Sequence, residues 1–377
     1  MIRLLNEGNL TRLLAAMKKA QAGEQVTIGY LGGSITMGSL SSTPETCYAY
    51  LSWLWWKEQF PRADIRYVNA GIGGTTSHFG TARVDEDLLY AKPDVVFVEF
   101  SVNDDNTEHF METYEGLVRR LLKATGYPAV ILLHNVYYDD GHSAKEIHSR
   151  VGIHYDLTCI SFGDVLYPML CEGKLKAKEI TPDFLHPNDR GHRLLADMVR
   201  EYLDDVKKIL DSENDKARNA DNGYDIRTKQ CSLPAPLTLN RYEKARRFRN
   251  QNLTPVSQSG FTADDAPQKE ITDIFKRGWT AGKVGAELSF RVNASCIAVQ
   301  YRKTIKHPAP KAIAFLDGRE EEGILLDGDF EESWGDCLYL QILCENREKA
   351  EHEVTIRLTE AHKEDILPFY LVSLLTD

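Results

Sequence analysis

The stretch VTIGYLGGSITMG, residues 26–38, enters as a strand-like run without charge, leaves through two glycines and sets a serine at the corner. A strand that lacks polar alternation is buried on both faces, which is the habit of a parallel sheet covered by helices. The glycines suit a sharp turn, because glycine adopts positive φ at little cost. A turn alone does not require a hydroxyl. Ser34 is therefore either a plain turn residue or a nucleophile held at the mouth of a sheet, with its base and oxyanion donors downstream.

The flanking sequence extends this pattern to about residue 206. IRYV (65–68), DVVFVEF (94–100), AVILLHNV (129–136) and LTCISF (157–162) alternate with helical stretches such as CYAYLSWLWWKEQF (47–60) and FMETYEGLVRRLLKA (110–124). In residues 191–210, Leu194, Leu195, Met198, Val199, Tyr202, Leu203 and Val206 recur at helical spacing. Strands separated by helices predict an α/β domain with a parallel sheet. The first 25 residues read as one amphipathic helix stopped at Gly23, with Leu10, Leu13, Leu14 and Met17 on one face.

Residues 207–259 open with a polar, charged run and read as a connector. Beyond it the hydrophobic period changes to two: Leu288, Phe290, Val292; Ile297, Val299, Tyr301; Leu338, Leu340, Ile342; Val354, Ile356, Leu358. With Asp317-Gly318 and Asp327-Gly328 as hairpin signals, this predicts an antiparallel β-sandwich over 260–377. A chain of 377 residues is long for one core, so a catalytic domain over 1–206 and an accessory sandwich suit its length.

Composition narrows the partners. A net charge of −11 speaks against nucleic acid and anionic membranes, which need a basic surface. No apolar run approaches the roughly 18 residues of a membrane span. The seven cysteines, at 47, 159, 171, 231, 296, 337 and 344, form no CxxC pair and read as small hydrophobes of a reducing cytoplasm. His134, His142, His148 and His154 lack H-x-x-x-H or H-E-x-x-H spacing and read as scattered polar or loop residues. No metal or other cofactor is expected, and RYEKARRFRN (241–250) reads as a solvated or docking segment. Trp53, Trp55 and Trp56 read mostly as core.

Ligands of open parallel sheets bind beyond the carboxyl ends of the strands. Ser34, NAGIGGTTS (69–77), SVNDD (101–105) and TPDFLHPNDRGH (181–192) all fall at such places. An alcohol needs a base to become a useful nucleophile. His186 is the candidate, and Asp183 three residues earlier can hold its tautomer, both from one loop that Pro187 keeps off the following helix. The oxyanion needs fixed donors. The backbone N–H groups of Ser34 and Gly74 and the carboxamide of Asn103 supply them. Asn103-Asp104 alone would read as a turn or cap. Thr36 stands where G-x-S-x-G needs its last glycine, which argues against that elbow.

These four blocks, spread over about residues 26–200, resemble the SGNH hydrolases of the GDSL superfamily. GGSIT matches their nucleophile block, NAGIGGTT the second, SVND the third and DFLHP the fourth. The resemblance implies a flavodoxin-like three-layer α/β/α domain and ester hydrolysis through an acyl-serine. It places the oxyanion glycine on Gly74, with Gly73 the fallback. Gly33 stands where Asp is usual, and Ser101 where Gly is usual. Two-domain members with a β-sandwich are often carbohydrate esterases, so a short acyl group on an oligosaccharide is the expected substrate. A lysophospholipase, a thioesterase or a non-catalytic carbohydrate-binding protein are the other readings. Trp279, Tyr301, Trp334 and Tyr339 of the sandwich are available to stack on sugar or to fill its core.

Overall fold

The structure, a computed structural model, describes residues 2–218, 233–345 and 348–377. It separates into two units, Met1–Glu243 and Lys244–Asp377. Cys231 and the centre of the expected connector lie outside the described residues.

In the first unit β2 (Val26–Gly32), β3 (Ile65–Gly71), β4 (Val95–Glu99), β5 (Ala129–His134) and β6 (Thr158–Ser161) are parallel. Their order across the sheet, with β1 (Leu4–Asn6) at the edge, is β1-β6-β5-β4-β2-β3. This is the flavodoxin-like winding, whose direction reverses between β2 and β4. Helices α1 (Thr11–Gln21), α3 (Tyr48–Gln59) and α9 (Asp189–Arg218) cover one face, where Met17, Tyr30, Trp56, Phe97 and Val199 share one core. α4 (Ser77–Asp87), α5 (Glu108–Lys123) and α6 (Lys145–His154) pack on the other. Every residue of β2, β4 and β5 is buried, as a doubly covered parallel sheet requires.

The amino terminus differs from its reading as one helix. Leu4–Asn6 form an antiparallel edge strand on β6, and α1 starts only at Thr11. Gly8, at φ +68°, lies where a Cβ would come 2.2 Å from the backbone N of Thr158, so the chain turns there instead of coiling. At the other boundary α9 runs past 206, and residues 237–243 are tied to the catalytic unit. Glu115 accepts backbone hydrogen bonds from Leu237 (2.6 Å) and Thr238 (2.8 Å), and Arg241 pairs with Glu112. The basic segment 241–250 is likewise not solvated: Tyr242, Arg247 and Arg249 are buried.

Strands of the second unit form two antiparallel sheets. With the short strands β7 (Arg246–Phe248), β8 (Ser257–Ser259), β9 (Thr262–Ala263) and β10 (Trp279–Ala281), one has the order β15-β12-β17-β10-β9, with β7 on β17, and the other β14-β13-β16-β11-β8. The central strands are β11 (Glu287–Ala294), β12 (Ile297–Lys303), β13 (Lys311–Leu316), β16 (Ala350–Glu360) and β17 (Phe369–Thr376). Phe290, Val299, Tyr301, Val354, Ile356 and Leu371 fill the sandwich between them. On edge strand β15 (Cys337–Cys344), Leu338, Leu340 and Ile342 pair with Arg302, Gln300 and Ala298, on the face opposite Val299 and Tyr301. Its apolar row thus faces away from the core. Asp317 and Gly318 both have positive φ, but their connection to β14 (Ile324–Asp327) is lengthened by a turn at Glu320–Glu322. Asp327-Gly328 opens the loop to β15 and makes no tight hairpin.

Close approach at the sheet's carboxyl edge yields the first prediction. The short helix α2 (Ser34–Met37) sits on the end of β3, where a Cβ on Gly71 would lie 2.2 Å from the backbone N of Met37. Backbone cannot yield as a side chain can. Gly71→Ala is expected to cost about 1–3 kcal/mol, read as a lower denaturant midpoint of the full-length protein; an unchanged midpoint would refute this.

Candidate active site

Ser34 begins α2 immediately after β2 and is only 6% exposed. Its carbonyl accepts hydrogen bonds from the N–H groups of Gly38 and Ser39, both at 3.0 Å, which close the turn behind it. Gly33 N–H donates to the Glu99 carbonyl at 3.3 Å, joining the nucleophile turn to β4. Arg83 reinforces this corner and escaped the sequence reading. Its buried guanidinium donates to the carbonyls of Ala70 (2.8 Å) and Gly32 (3.1 Å), the ends of the two strands that lead to Gly74 and Ser34. Burial lowers its pKa, with Asp87 opposing. A single helical arginine among acidic neighbours gives no local signal of such a role.

His186 and Asp183 arrive from the loop before α9. The His186 Nε2 lies 2.8 Å from Ser34 Oγ, and its Nδ1 lies 2.7 Å from Asp183 Oδ2. Asp183 Oδ1 accepts the N–H groups of Leu185 (3.0 Å) and His186 (2.7 Å), so the carboxylate organises the loop as well as the ring. Partial burial works to raise the Asp183 pKa, but the His186 ring and these amides outweigh it and hold the carboxyl below its usual value. Phe184 between them takes φ +62°, a conformation disfavoured for an aromatic residue, and its carbonyl accepts Tyr138 N–H at 2.7 Å. The residues after His186 clamp the other side. Asp189 accepts from Ser42 N–H, Ser42 Oγ and Thr46 Oγ1, each at 2.7 Å, and His192 stacks on Tyr48.

The proposed oxyanion donors surround the same corner. The Asn103 carboxamide lies against Gly33, where a Cβ would come 2.1 Å from its Oδ1. The glycine that replaces the usual aspartate therefore leaves room for this side chain. The position a Cβ would take on Gly73 is 3.7 Å from Ser34 Cβ, and Gly74 follows at φ +66°, which glycine adopts readily. Ser101, where glycine is usual, is buried and donates its hydroxyl to Glu99 Oε1 at 2.8 Å. Four separate stretches of chain thus converge on one point. That arrangement can remove a proton from Ser34 through His186 and hold negative charge on an attacked carbonyl.

The histidines set aside earlier divide. His142 and His154 are not fully buried, whereas His134 and His148 are buried at the carboxyl side of the sheet. His134 ends β5, and His148 and His154 lie on α6, so of the four only His142 is a loop residue. Among the described residues no three His, Cys, Asp or Glu side chains come together as a metal site. No described helix is long and apolar enough to cross a membrane.

Buried titrating groups give a pH dependence. Burial pushes His78 down to about 3, His192 down to about 4, and His134 well below its ordinary range. From pH 6.5 towards 4 the unfolded chain takes up protons that these folded imidazoles refuse, so stability falls on acidification. Glu99, pushed by burial up to about 7, acts oppositely, because its folded form keeps a proton that the unfolded carboxyl loses above 4.5. Three imidazoles against one carboxyl leave the histidine direction dominant. The urea midpoint is expected to drop between pH 6.5 and 4.5, and His192→Gln to flatten that slope. A level wild-type midpoint would contradict it.

A serine, histidine and aspartate in line on the carboxyl edge of a flavodoxin-like sheet fit a class of protein, the carboxylic ester hydrolases. The profile of the GDSL-like Lipase/Acylhydrolase family matches residues 30–194, the span that holds all four blocks. The chain is 48% identical to a two-domain esterase (CEX) active on acetylated mannans, with a TM-score of 0.92 and coverage of 100% of this chain and 98% of that one. A structure of such an esterase co-crystallised with mannopentaose is 47% identical, with a TM-score of 0.90 and the same coverage. An acetylxylan esterase of Geobacillus stearothermophilus is 27% identical over 163 residues, 36% of this chain and 71% of that protein. Thioesterase 1/protease 1/lysophospholipase L1 of Escherichia coli (strain K12) is 25% identical over 209 residues, 53% of this chain and 96% of that protein. The chain belongs to the GDSL-like lipase/acylhydrolase family and is a carboxylic ester hydrolase.

Proposed function

We propose that this protein is a serine acetylesterase that removes O-acetyl groups from carbohydrate, with acetylated manno-oligosaccharides as its substrates. The chemistry rests on the continuous line from Ser34 Oγ through His186 to Asp183, at 2.8 and 2.7 Å. The sugar rests on likeness, along the whole chain, to an esterase active on acetylated mannans.

In this reading His186 Nε2 takes the Ser34 proton as Oγ attacks the acetyl carbonyl. Asp183 holds the proton on Nδ1 and stabilises the imidazolium. The oxyanion is met by the N–H groups of Ser34 and Gly74 and by Asn103 Nδ2. His186 then gives its proton to the sugar oxygen as the ester C–O bond breaks, so that the sugar leaves as a hydroxyl, and a water activated by the same ring hydrolyses the acetyl-serine. In the sandwich Trp279 and Tyr301 are buried in the core, which removes them as sugar platforms. Trp334 is 58% exposed and meets Phe330 edge-on with ring centres 5.0 Å apart, and Tyr339 is 38% exposed. These two remain available to stack on sugar.

The test compares p-nitrophenyl esters of increasing chain length and measures acetate release from acetylated mannan, xylan and xylo-oligosaccharides. Loss of turnover beyond short acyl chains, with acetate released from mannan, is expected. Equal or better turnover of long acyl chains would favour a thioesterase or lysophospholipase instead.

A further inference from the structure

Beside the Asn103 loop lies a second aspartate–histidine pair, sealed from solvent, with both side chains 0% exposed. Asn103 and Asp104 both donate their N–H groups to the Phe100 carbonyl at 3.0 Å, so the two residues share one tight turn. Asp104 uses its two oxygens in different directions. Oδ1 accepts the N–H of Ser77 at 2.8 Å, and Oδ2 lies 3.0 Å from His148 Nε2. Ser77 opens α4 three residues after Gly74, and Thr76 before it makes no side-chain cap of its own. One free donor at the start of α4, the Ser77 N–H, is thus met by a carboxylate from the neighbouring loop. On the far side the His148 ring stacks on Tyr114 of α5, with centres 3.6 Å apart and planes 9° from parallel. Ser77 Oγ also meets Thr113 Oγ1 of α5 at 2.7 Å. The loop carrying Gly74 and the loop carrying Asn103 are therefore joined through one carboxylate and anchored to α5 and α6.

We infer that Asp104 and His148 are positioning residues that set the distance between the Gly74 amide and the Asn103 carboxamide. This rests on the reading of those two groups as oxyanion donors. Donors act on the developing charge only when held at hydrogen-bond distance from it, so the pair controls turnover without touching substrate. Loss of His148 frees one carboxylate oxygen, and loss of Asp104 unties the loops altogether.

The experiment uses the full-length protein and five variants: Asp104→Asn, His148→Phe, His148→Gln, Asn103→Ala and the double Asp104→Asn/Asn103→Ala. His148→Phe keeps the stack on Tyr114 and removes the ring nitrogen. For each, kcat, KM, the melting temperature and the affinity for a boronic acid that forms a tetrahedral serine adduct are measured. His148→Phe and Asp104→Asn are expected to lose about tenfold to a hundredfold in kcat, with KM little changed and boronate affinity falling in step. His148→Gln, which can still donate to Asp104, should recover part of the loss. The double variant should be little slower than Asn103→Ala, because the pair acts through that donor. Folded Asp104→Asn and His148→Phe with wild-type kcat and boronate affinity would overturn the inference, as would fully multiplicative losses in the double variant. If Asp104→Asn does not fold, His148→Phe decides. An unchanged kcat in Asn103→Ala would overturn the donor reading itself, and the positioning role with it.

Discussion

Ser34→Ala and His186→Ala are each expected to lower kcat for an acetyl ester by about 10⁶-fold, with the double variant no slower than either. Ser34 is 6% exposed, and its Oγ meets the His186 imidazole 2.8 Å away. Without the ring the proton stays on oxygen, and the alcohol attacks only as weakly as free serine would. Without the hydroxyl the ring has nothing to activate but water. The two act as one unit, so their losses do not multiply. Asp183→Asn should cost less, about 10⁴-fold, because the ring remains but its tautomer is no longer enforced. Steady-state kinetics on p-nitrophenyl acetate, with stoichiometric labelling of Ser34 by an organophosphorus reagent, checks each step. Residual turnover above about 1% in Ser34→Ala, or multiplied losses in the double variant, would remove the acyl-serine route.

Asn103→Ala is expected to lower kcat by about 10²–10³-fold with KM nearly unchanged. The ground-state carbonyl needs little from a donor, whereas the tetrahedral intermediate carries a full charge on that oxygen. The effect therefore belongs to kcat. Truncation also empties the space beside Gly33, where no Cβ stands to fill it. A rise in KM at constant kcat would reassign Asn103 to holding substrate, and the oxyanion would then depend on backbone amides alone.

Much of the catalytic unit was legible locally. The uncharged strand before Ser34 and the residues of DVVFVEF demanded burial on both faces, and β2 and β4 are fully buried. Asp183 and His186 stand three residues apart, and a short loop, tied to Tyr138 N–H at the Phe184 carbonyl, brings them to 2.7 Å. The first strand was hidden because Leu4–Asn6 is short, and only its pairing with β6 makes it a strand. Residues 237–243 looked like linker because their polar groups find partners, such as Glu115, more than a hundred positions away. The row Leu338, Leu340, Ile342 showed the right period, but period alone does not say which face of a sheet a strand presents.

By itself the sequence determined what local chemistry can dictate: the alternation of strands and helices from β2 onward, and the four short blocks at strand ends that gather around Ser34. It could do so because strand burial, glycine turns and a short Asp–His spacing act over a few residues. Only the tertiary structure decided what joins those pieces. His148 reaches Asp104 across 44 positions, and Arg83 reaches Gly32 across 51. Such contacts form when the sheet winds and its loops meet, and a buried charge or ring leaves no periodicity by which to foresee its partner.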